Sequence, residues 1–244
     1  MNTIPRWEDR AASFGSVAEV YEQYRPGYPA EAVAWLVGGR PADVLDLGAG
    51  TGKLTRALVA ADHRVVAVEP SPPMLDVLEA ALPNVDARAG SAEAIPAAGS
   101  AFDVVVVAQA FHWFDQATAV PEIARVLRPG GRLALVWNLR DELVQWVHEL
   151  WAVVAPEEPQ LIGDVILPPG SPFGPMEVAT FRQTQRLDRD AVLGLARSRS
   201  YVAAQPAERR AELLEAAAVV IDRHLGSDGV TLPYVTYCYR SRRD

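Results

Sequence analysis

The amino-acid sequence predicts an α/β fold built on a mainly parallel β-sheet. Four short apolar runs, each bounded by polar or turn residues, occupy 44–47, 65–68, 104–107 and 133–137. Continuous rather than alternating hydrophobicity is typical of strands that are buried on both faces, as in a parallel sheet. Helix-forming stretches separate these runs, and regular alternation of strand and helix indicates the α/β class.

The connecting segments predict helices over 53–61, 71–82 and 116–127, and a weaker strand over 85–89. Ser71 is the expected N-cap of the second helix, with Pro72 at its first helical position. The third helix should end at a turn over 128–131, where Pro129 is followed by two glycines.

The second half of the chain has a different pattern. An amphipathic helix is predicted over 141–155, followed by a proline-rich connection. Further elements are expected in the order strand, helix, helix and strand, over 178–187, 188–199, 207–225 and 230–240.

Composition limits the class of protein. The chain has 244 residues, half of them hydrophobic, which suits one large domain or a domain with a lid. No apolar stretch is long enough for a transmembrane helix, and the first residues lack the apolar core of a secretory signal. The single cysteine, Cys238, favours a cytoplasmic protein. A formal net charge of −8 argues against nucleic acid or a membrane as the main partner.

Three glycines join the first predicted strand to the following helix in the segment DLGAGTGK, from Asp46 to Lys53. Glycine allows a tight turn and lets a ligand approach the backbone. The helix that follows presents free N–H groups at its start. Such a turn is suited to a nucleotide-like ligand at the carboxyl edge of a parallel sheet.

Three cofactor-binding motifs can be compared with this turn. A phosphate-binding P-loop requires Ser or Thr after Gly-Lys, and Leu54 stands there. A dinucleotide fingerprint requires a glycine at the position of Lys53, so it matches only in part. The pattern acid-x-Gly-x-Gly-x-Gly resembles motif I of the class I methyltransferases that use S-adenosylmethionine (SAM).

An acidic residue, Glu69, follows Asp46 by 23 residues, at the end of the second predicted strand. A carboxylate there can accept two hydrogen bonds from the vicinal hydroxyls of a ribose. The alternative is an acid favoured by the dipole of the helix that starts near Ser71.

Further motifs extend the resemblance over residues 42–138. After the third strand, GSAEAIP over 90–96 resembles the family segment that contacts adenine, with Ser91 where an acid is common. FDVVVV over 102–107 and EIARVLRPGGRL over 122–133 follow in the family order. The resemblance implies a Rossmann-like class I methyltransferase fold, with a seven-stranded sheet, helices on both faces and a helical lid.

The flanking segments are similar to a smaller group, the trans-aconitate methyltransferase-like enzymes. The similarity lies in Tyr24, Arg25 and the AFHWF segment over 110–114. The resemblance implies SAM as cofactor and methyl transfer to a small-molecule acceptor, by O-methylation of a carboxylate or a hydroxyl. It also implies a lid segment over 1–40, a SAM-binding core over 41–155, a connection over 156–177, and a C-terminal part over 178–244 with a lid insertion at 188–225.

The expected catalytic residue is His112, a candidate base that equally suits a role in the pocket wall. The residues expected to bind SAM follow its motifs: Asp46, Gly48, Ala49, Gly50, Thr51, Gly52, Glu69, Pro70, Met74, Ser91, Ala92, Glu93, Gln109, Trp113, Tyr24 and Arg25. For Arg25 the bound carboxylate could belong to the cofactor or to the substrate. The spacing of the four histidines predicts no metal site.

The oligomeric state expected is a monomer or a homodimer. Two other functions stay open from the sequence: a nicotinamide-dependent oxidoreductase on a related fold, and a SAM-binding protein without catalysis.

Overall fold

The computed structural model describes residues 22–155, 165, 167–226 and 229–244. Seven strands are β1 (Asp43–Leu47), β2 (Arg64–Glu69), β3 (Asp86–Ala89), β4 (Phe102–Ala108), β5 (Leu127–Arg140), β6 (Glu177–Leu187) and β7 (Val230–Arg242). The described residues also form the α-helices α1 (Ala30–Val37), α2 (Lys53–Ala60), α3 (Pro72–Ala81), α4 (Gln116–Val126), α5 (Gln145–Val154), α6 (Arg189–Arg197), α7 (Ser200–Ala203) and α8 (Ala207–His224).

The strands form one mixed sheet in the order β3-β2-β1-β4-β5-β7-β6, in which β7 is antiparallel. This arrangement confirms the predicted α/β fold with a mainly parallel, seven-stranded sheet. The chain runs outward from β1 to β3 and then returns to the other side of β1 to form β4. The order therefore reverses between β1 and β4, which is where open α/β sheets bind their ligands.

The apolar runs became central strands because both of their faces are covered. Val44, Leu45, Val105 and Val106 are all fully buried. Apolar residues of α1 and α2 pack against the sheet in a core cluster that also contains Cys238. Burial raises the pKa of the Cys238 thiol to about 12, so this side chain stays an inert part of the core at neutral pH.

The chain divides into two compact units. Unit 1 comprises Met1–Pro26, Leu139–Leu161 and Gln183–Val235, and contains α5 to α8. Unit 2 comprises Gly27–Asn138, Ile162–Arg182 and Thr236–Asp244, and contains α1 to α4 with β1 to β4. The domain limits expected from the sequence stay a prediction.

Unit 1 has an apolar core of its own. Its buried residues come from α5, α6 and α8 and from the ends of the strands that enter the unit, and include Val147, Leu150, Val192, Leu195, Ala217, Ile221 and Leu232. Helix α6 is capped by Asp188, whose side chain accepts a hydrogen bond from the Ala191 backbone N–H at 2.8 Å. Such an N-cap satisfies one of the free N–H groups at a helix start.

Ser71 is the N-cap of α3 and Pro72 its first residue, as predicted, although the Ser71 side chain makes no capping hydrogen bond. The structure corrects two other local predictions. Residues 128–131 are an irregularity within β5, because the register with β4 shifts between the pairs Phe102–Leu127 and Val104–Arg132. The helix expected from 141 begins only at Gln145, because the Asp141 carboxylate accepts from the Leu143 N–H and forms a local turn.

Parts of three predicted segments lie outside the described residues, namely 1–21, 156–164 with 166, and 227–228. Among the helices that are described, none combines the length and the hydrophobicity that crossing a membrane requires.

Candidate functional site

The glycine turn follows β1 directly, and its backbone conformation explains its composition. Gly48, Gly50 and Gly52 have φ values of 71°, 58° and 85°, in the left-handed region that favours glycine. The N–H groups of Gly48 and Ala49 both donate to the Val68 carbonyl, at 2.8 and 3.1 Å. The turn is therefore held against the end of β2.

The three glycines have different surroundings. A Cβ added at Gly48 would lie 2.9 Å from the Ala110 Cβ, and one at Gly52 would lie 3.0 Å from the Leu78 Cγ. These two positions exclude a side chain because neighbouring elements pack against them. At Gly50 no atom of the described chain lies within 4 Å of an added Cβ, so this backbone faces open space.

Asp46 is fully buried beneath the turn. Its Oδ2 accepts a hydrogen bond of 2.6 Å from the Thr55 hydroxyl, whereas its Oδ1 has no hydrogen-bond partner among the described residues. Burial raises the pKa of Asp46 to about 7, against the opposing effect of the Thr55 hydrogen bond. A buried carboxylate oxygen without a partner is costly, so Oδ1 is available to a donor on a ligand.

This burial predicts a pH dependence of stability for the ligand-free protein. Because the pKa of Asp46 is higher in the folded state, its contribution is complete below about 3.9 and is lost as pH rises through about 7. The shift corresponds to a loss on the order of 4 kcal/mol. We expect urea unfolding from pH 4 to pH 8 to show this decline in the wild type and not in Asp46→Asn. Parallel pH profiles of the two proteins would contradict it.

Glu69 is the last residue of β2 and is 7% exposed. Its Oε2 accepts from the Gly50 N–H at 2.8 Å, and its Oε1 accepts from the Ser71 N–H at 3.0 Å. Burial raises the pKa of Glu69, although both hydrogen bonds act in the opposite direction. Each carboxylate oxygen keeps acceptor capacity for a further donor.

The carboxylate of Glu69 therefore has two structural contacts, and sequence reasoning anticipated one of them. The contact with Ser71 agrees with the interpretation of an acid at a helix start. The contact with Gly50 was missed, and no sequence signal for it exists beyond the spacing of the two motifs.

Two further predicted residues lie at the same edge of the sheet, after β3 and β4. Ser91 follows Gly90, whose N–H donates to the Glu69 carbonyl at 3.3 Å. Gln109 follows β4 and has a φ of 58°, which is unusual for a residue other than glycine. Because the carboxyl ends of parallel strands meet at one edge, the structure brings Asp46, Glu69, Ser91 and Gln109 to a common edge.

The remaining predicted residues of unit 2 differ in exposure. Ala49, Thr51, Met74 and Ala92 are buried, whereas Pro70 is exposed. Glu93 accepts a hydrogen bond of 3.0 Å from the Asp115 N–H and so fastens its loop to the start of α4. Its predicted contact with the cofactor stays a prediction.

The aromatic segment after β4 forms a short 3₁₀ helix, Phe111–Trp113. Phe111 is buried and meets the Phe114 ring edge-on at 5.9 Å, so it belongs to the core. His112 is exposed and lies against the half-buried Trp113, with ring centroids 4.5 Å apart.

Tyr24 and Arg25 belong to unit 1, where they have clear partners. A Cβ added at Gly194 of α6 would overlap the Tyr24 ring, so the two pack tightly. Arg25 donates to the Ser198 hydroxyl and to the Ser198 carbonyl, both at 3.0 Å. The predicted role of Tyr24 and Arg25 toward the cofactor stays a prediction.

The edge of unit 2 suits a nucleoside that carries a positive group. It offers a buried carboxylate oxygen without a partner, a second carboxylate with acceptor capacity, and an open glycine backbone. No group of three or more metal-binding side chains occurs in the part of the chain that the structure describes. SAM, with its ribose hydroxyls and its ammonium, fits these donors and acceptors.

Comparisons with known proteins agree with this geometry. A family profile for the methyltransferase domain matches residues 45–135. An uncharacterised methyltransferase of Mycobacterium tuberculosis is 47% identical over 236 residues, which cover 96% of each chain. A malonyl-[acyl-carrier protein] O-methyltransferase of Methylococcus capsulatus is 38% identical over 140 residues, covering 53% of this chain and 50% of that protein.

A solved methyltransferase structure is also similar to this chain. A proposed type II methyltransferase from Anaeromyxobacter dehalogenans superposes with a TM-score of 0.65 at 27% identity, covering 90% of this chain and 97% of that one. The similarity to the mycobacterial protein extends over nearly the whole chain, well beyond the glycine turn. The chain therefore belongs to the class I SAM-dependent methyltransferase family, and its cofactor is SAM.

Proposed function

We propose that this methyltransferase transfers the methyl group of SAM to an oxygen atom of a small acceptor, either a carboxylate or a hydroxyl. The observation that carries the cofactor half of the proposal is the unpartnered, buried Oδ1 of Asp46 beside the glycine turn. The partial similarity to an O-methyltransferase supports oxygen as the acceptor atom.

The residues of the edge suggest how SAM is held. Glu69 would accept from the ribose hydroxyls with its remaining lone pairs, and Asp46 Oδ1 would accept from the ammonium of the methionyl part. Ser91, Ala92 and Met74 would contact the adenine. Gly50 would let the cofactor approach the backbone closely.

When bound, SAM supplies a methyl group on a sulfonium, which is already a good leaving group. The protein then has to hold the acceptor oxygen in line with that methyl group and to exclude water. A carboxylate acceptor is nucleophilic without help. A hydroxyl acceptor gains from a base that takes its proton, and we assign that role to the Nδ1 or Nε2 atom of His112.

The experiment is an acceptor screen with purified protein and SAM, followed by His112→Ala with the best hydroxyl acceptor. We expect kcat to fall by about 10²-fold or more, since general base catalysis contributes at least that much. The affinity for SAM should not change. The matched control is His148→Ala, because His148 is exposed on α5 in unit 1.

A kcat for His112→Ala equal to that of the wild type, with a hydroxyl acceptor, would remove the assignment of the base. SAM binding without turnover on any acid or alcohol would refute oxygen as the acceptor atom. The nicotinamide-dependent oxidoreductase is set aside because the chain belongs to the methyltransferase family.

A further inference from the structure

Three arginines of unit 1, Arg25, Arg140 and Arg199, lie close to one another, and two of them, Arg140 and Arg199, have no predicted role toward SAM. Arg140 is the last residue of β5 and is 8% exposed. Arg25 precedes α1 in the chain and is half-buried, and Arg199 follows α6. Arginine side chains are seldom buried in a small apolar core unless their charge has a function or a partner.

The three arginines are joined through Trp151 and Ser198. The Arg140 guanidinium lies 4.6 Å from the centroid of the Trp151 ring, and that of Arg199 lies 6.0 Å from it. Arg25 binds both the hydroxyl and the carbonyl of Ser198, the neighbour of Arg199, and Ser198 is fully buried. The guanidinium groups therefore gather in one region of unit 1.

A buried phenol lies in the same region. Tyr234 is 6% exposed, and its hydroxyl donates a long hydrogen bond of 3.4 Å to the Gln185 Oε1. Burial raises the pKa of Tyr234 to about 12, while the positive charges of Arg25, Arg199 and Arg140 act in the opposite direction. Tyr234 thus experiences the field of all three arginines.

Arg140 is incompletely satisfied. Its Nη2 pairs with the Glu142 carboxylate at 2.6 Å, but its buried Nε has no hydrogen-bond partner among the described residues. Burial lowers the pKa of Arg140 to about 10, which leaves it charged at neutral pH. A buried donor without an acceptor destabilises the fold, so packing alone does not explain this arginine.

We propose that Arg25, Arg140, Arg199 and Tyr234 form a binding site for the carboxylate of a small organic acid. The planar carboxylate would accept from the Arg140 Nε, and its second oxygen would accept from a neighbouring guanidinium or from the Tyr234 hydroxyl. Guanidinium groups match carboxylates in a two-point geometry, and the contacts with Trp151 hold two of them in place. This site lies within unit 1 and does not rest on the proposed function.

The test is calorimetry on the full chain at low ionic strength, with succinate, citrate and inorganic phosphate as separate probes. We expect one or both organic acids to bind, and to bind more tightly than phosphate. Arg140→Gln and Arg25→Gln should each weaken that binding by about ten-fold, the effect of losing one charged hydrogen bond. Arg209→Gln is the matched control, because Arg209 is an exposed arginine of α8 that pairs with Glu212.

Two gentler variants keep the test valid if Arg140→Gln does not fold. Tyr234→Phe removes one hydroxyl, and Arg25→Lys keeps the charge but loses the planar fork; each should weaken the binding of the acid several-fold. Circular dichroism of every variant should match the wild type, and so should the affinity for SAM of Arg140→Gln and Tyr234→Phe, at residues with no predicted role toward SAM. A loss of acid binding with unchanged SAM binding assigns the effect to this site.

Three results would overturn the site: no binding of either acid at millimolar concentration, tighter binding of phosphate, or the same loss in Arg209→Gln as in Arg140→Gln. The proposed function is tested by a different measurement: it would be refuted by the absence of methyl transfer to any acid or alcohol. Acid binding that depends on Arg140, in a protein that methylates no acid and no alcohol, would uphold the site and refute the proposed function.

Discussion

Replacing Glu69 by alanine is expected to weaken SAM binding by about 100-fold, equivalent to about 2.7 kcal/mol. The variant removes the carboxylate proposed to accept from the ribose hydroxyls, and a hydrogen bond to a charged group contributes about 1.5–3 kcal/mol. It also removes the acceptor of the Gly50 and Ser71 N–H groups, so the glycine turn loses a stabilising hydrogen bond. Isothermal titration calorimetry with SAM and with its demethylated product measures the effect directly.

Two variants separate this effect from a general loss of negative charge. Glu69→Gln keeps the shape and one acceptor oxygen, so we expect it to bind SAM about ten-fold more weakly than the wild type. Glu79→Ala removes an exposed carboxylate from α3 and should bind SAM normally. An unchanged affinity in Glu69→Ala would refute the placement of the ribose at this carboxylate.

Replacing Gly50 by alanine is expected to lower the affinity for SAM by more than about 100-fold while costing about 1 kcal/mol of stability. The stability cost is small because the added Cβ meets no described atom within 4 Å, and only the left-handed backbone, with φ of 58°, opposes it. The affinity is lost because the methyl group enters the open space that the cofactor is proposed to occupy.

The control for this prediction is Gly130→Ala in the irregular part of β5. Gly130 also has a left-handed backbone, with φ of 72°, and an added Cβ there likewise meets no described atom within 4 Å. Both variants should lose similar unfolding free energy in urea, whereas only Gly50→Ala should lose SAM binding. Equal affinities for SAM in the two variants would show that the cofactor does not approach the turn at Gly50.

The central strands could be predicted from the chain because they are buried on both faces. The apolar runs of β1, β2 and β4 are continuous and have no polar face, so their composition alone indicates buried strands. The errors occur where a local contact overrides periodicity. The Asp141 carboxylate delays the start of α5, and the bulge at 128–131 keeps a Pro-Gly-Gly segment inside β5.

Two parts of the candidate site could be placed from the sequence, and their contact with SAM stays a prediction. The glycine turn after β1 and the acid at the end of β2 are separated by a spacing that reflects the strand–helix–strand unit. The hydrogen bond from Gly50 to Glu69, and the unpartnered oxygen of Asp46, depend on how β1 and β2 pair. Local sequence patterns contain no information about such contacts.

The arginine site of unit 1 shows the limit most clearly. Arg25, Arg140 and Arg199 are far apart in the chain, and of the three only Arg25 was a candidate for binding a carboxylate from the sequence. Only the packing of α5 and α6 around Trp151 and Ser198 gathers them.

The sequence by itself determined the α/β class, the glycine turn, the position of Glu69 and the membership of a SAM-dependent family. These follow from hydrophobic runs and from glycines that the backbone requires, both of which act over a few residues. The tertiary structure alone decided which carboxylate oxygens are engaged, which glycine faces open space and which arginines share a region. Those properties depend on burial and on contacts between distant segments, which a chain acquires only when it is folded.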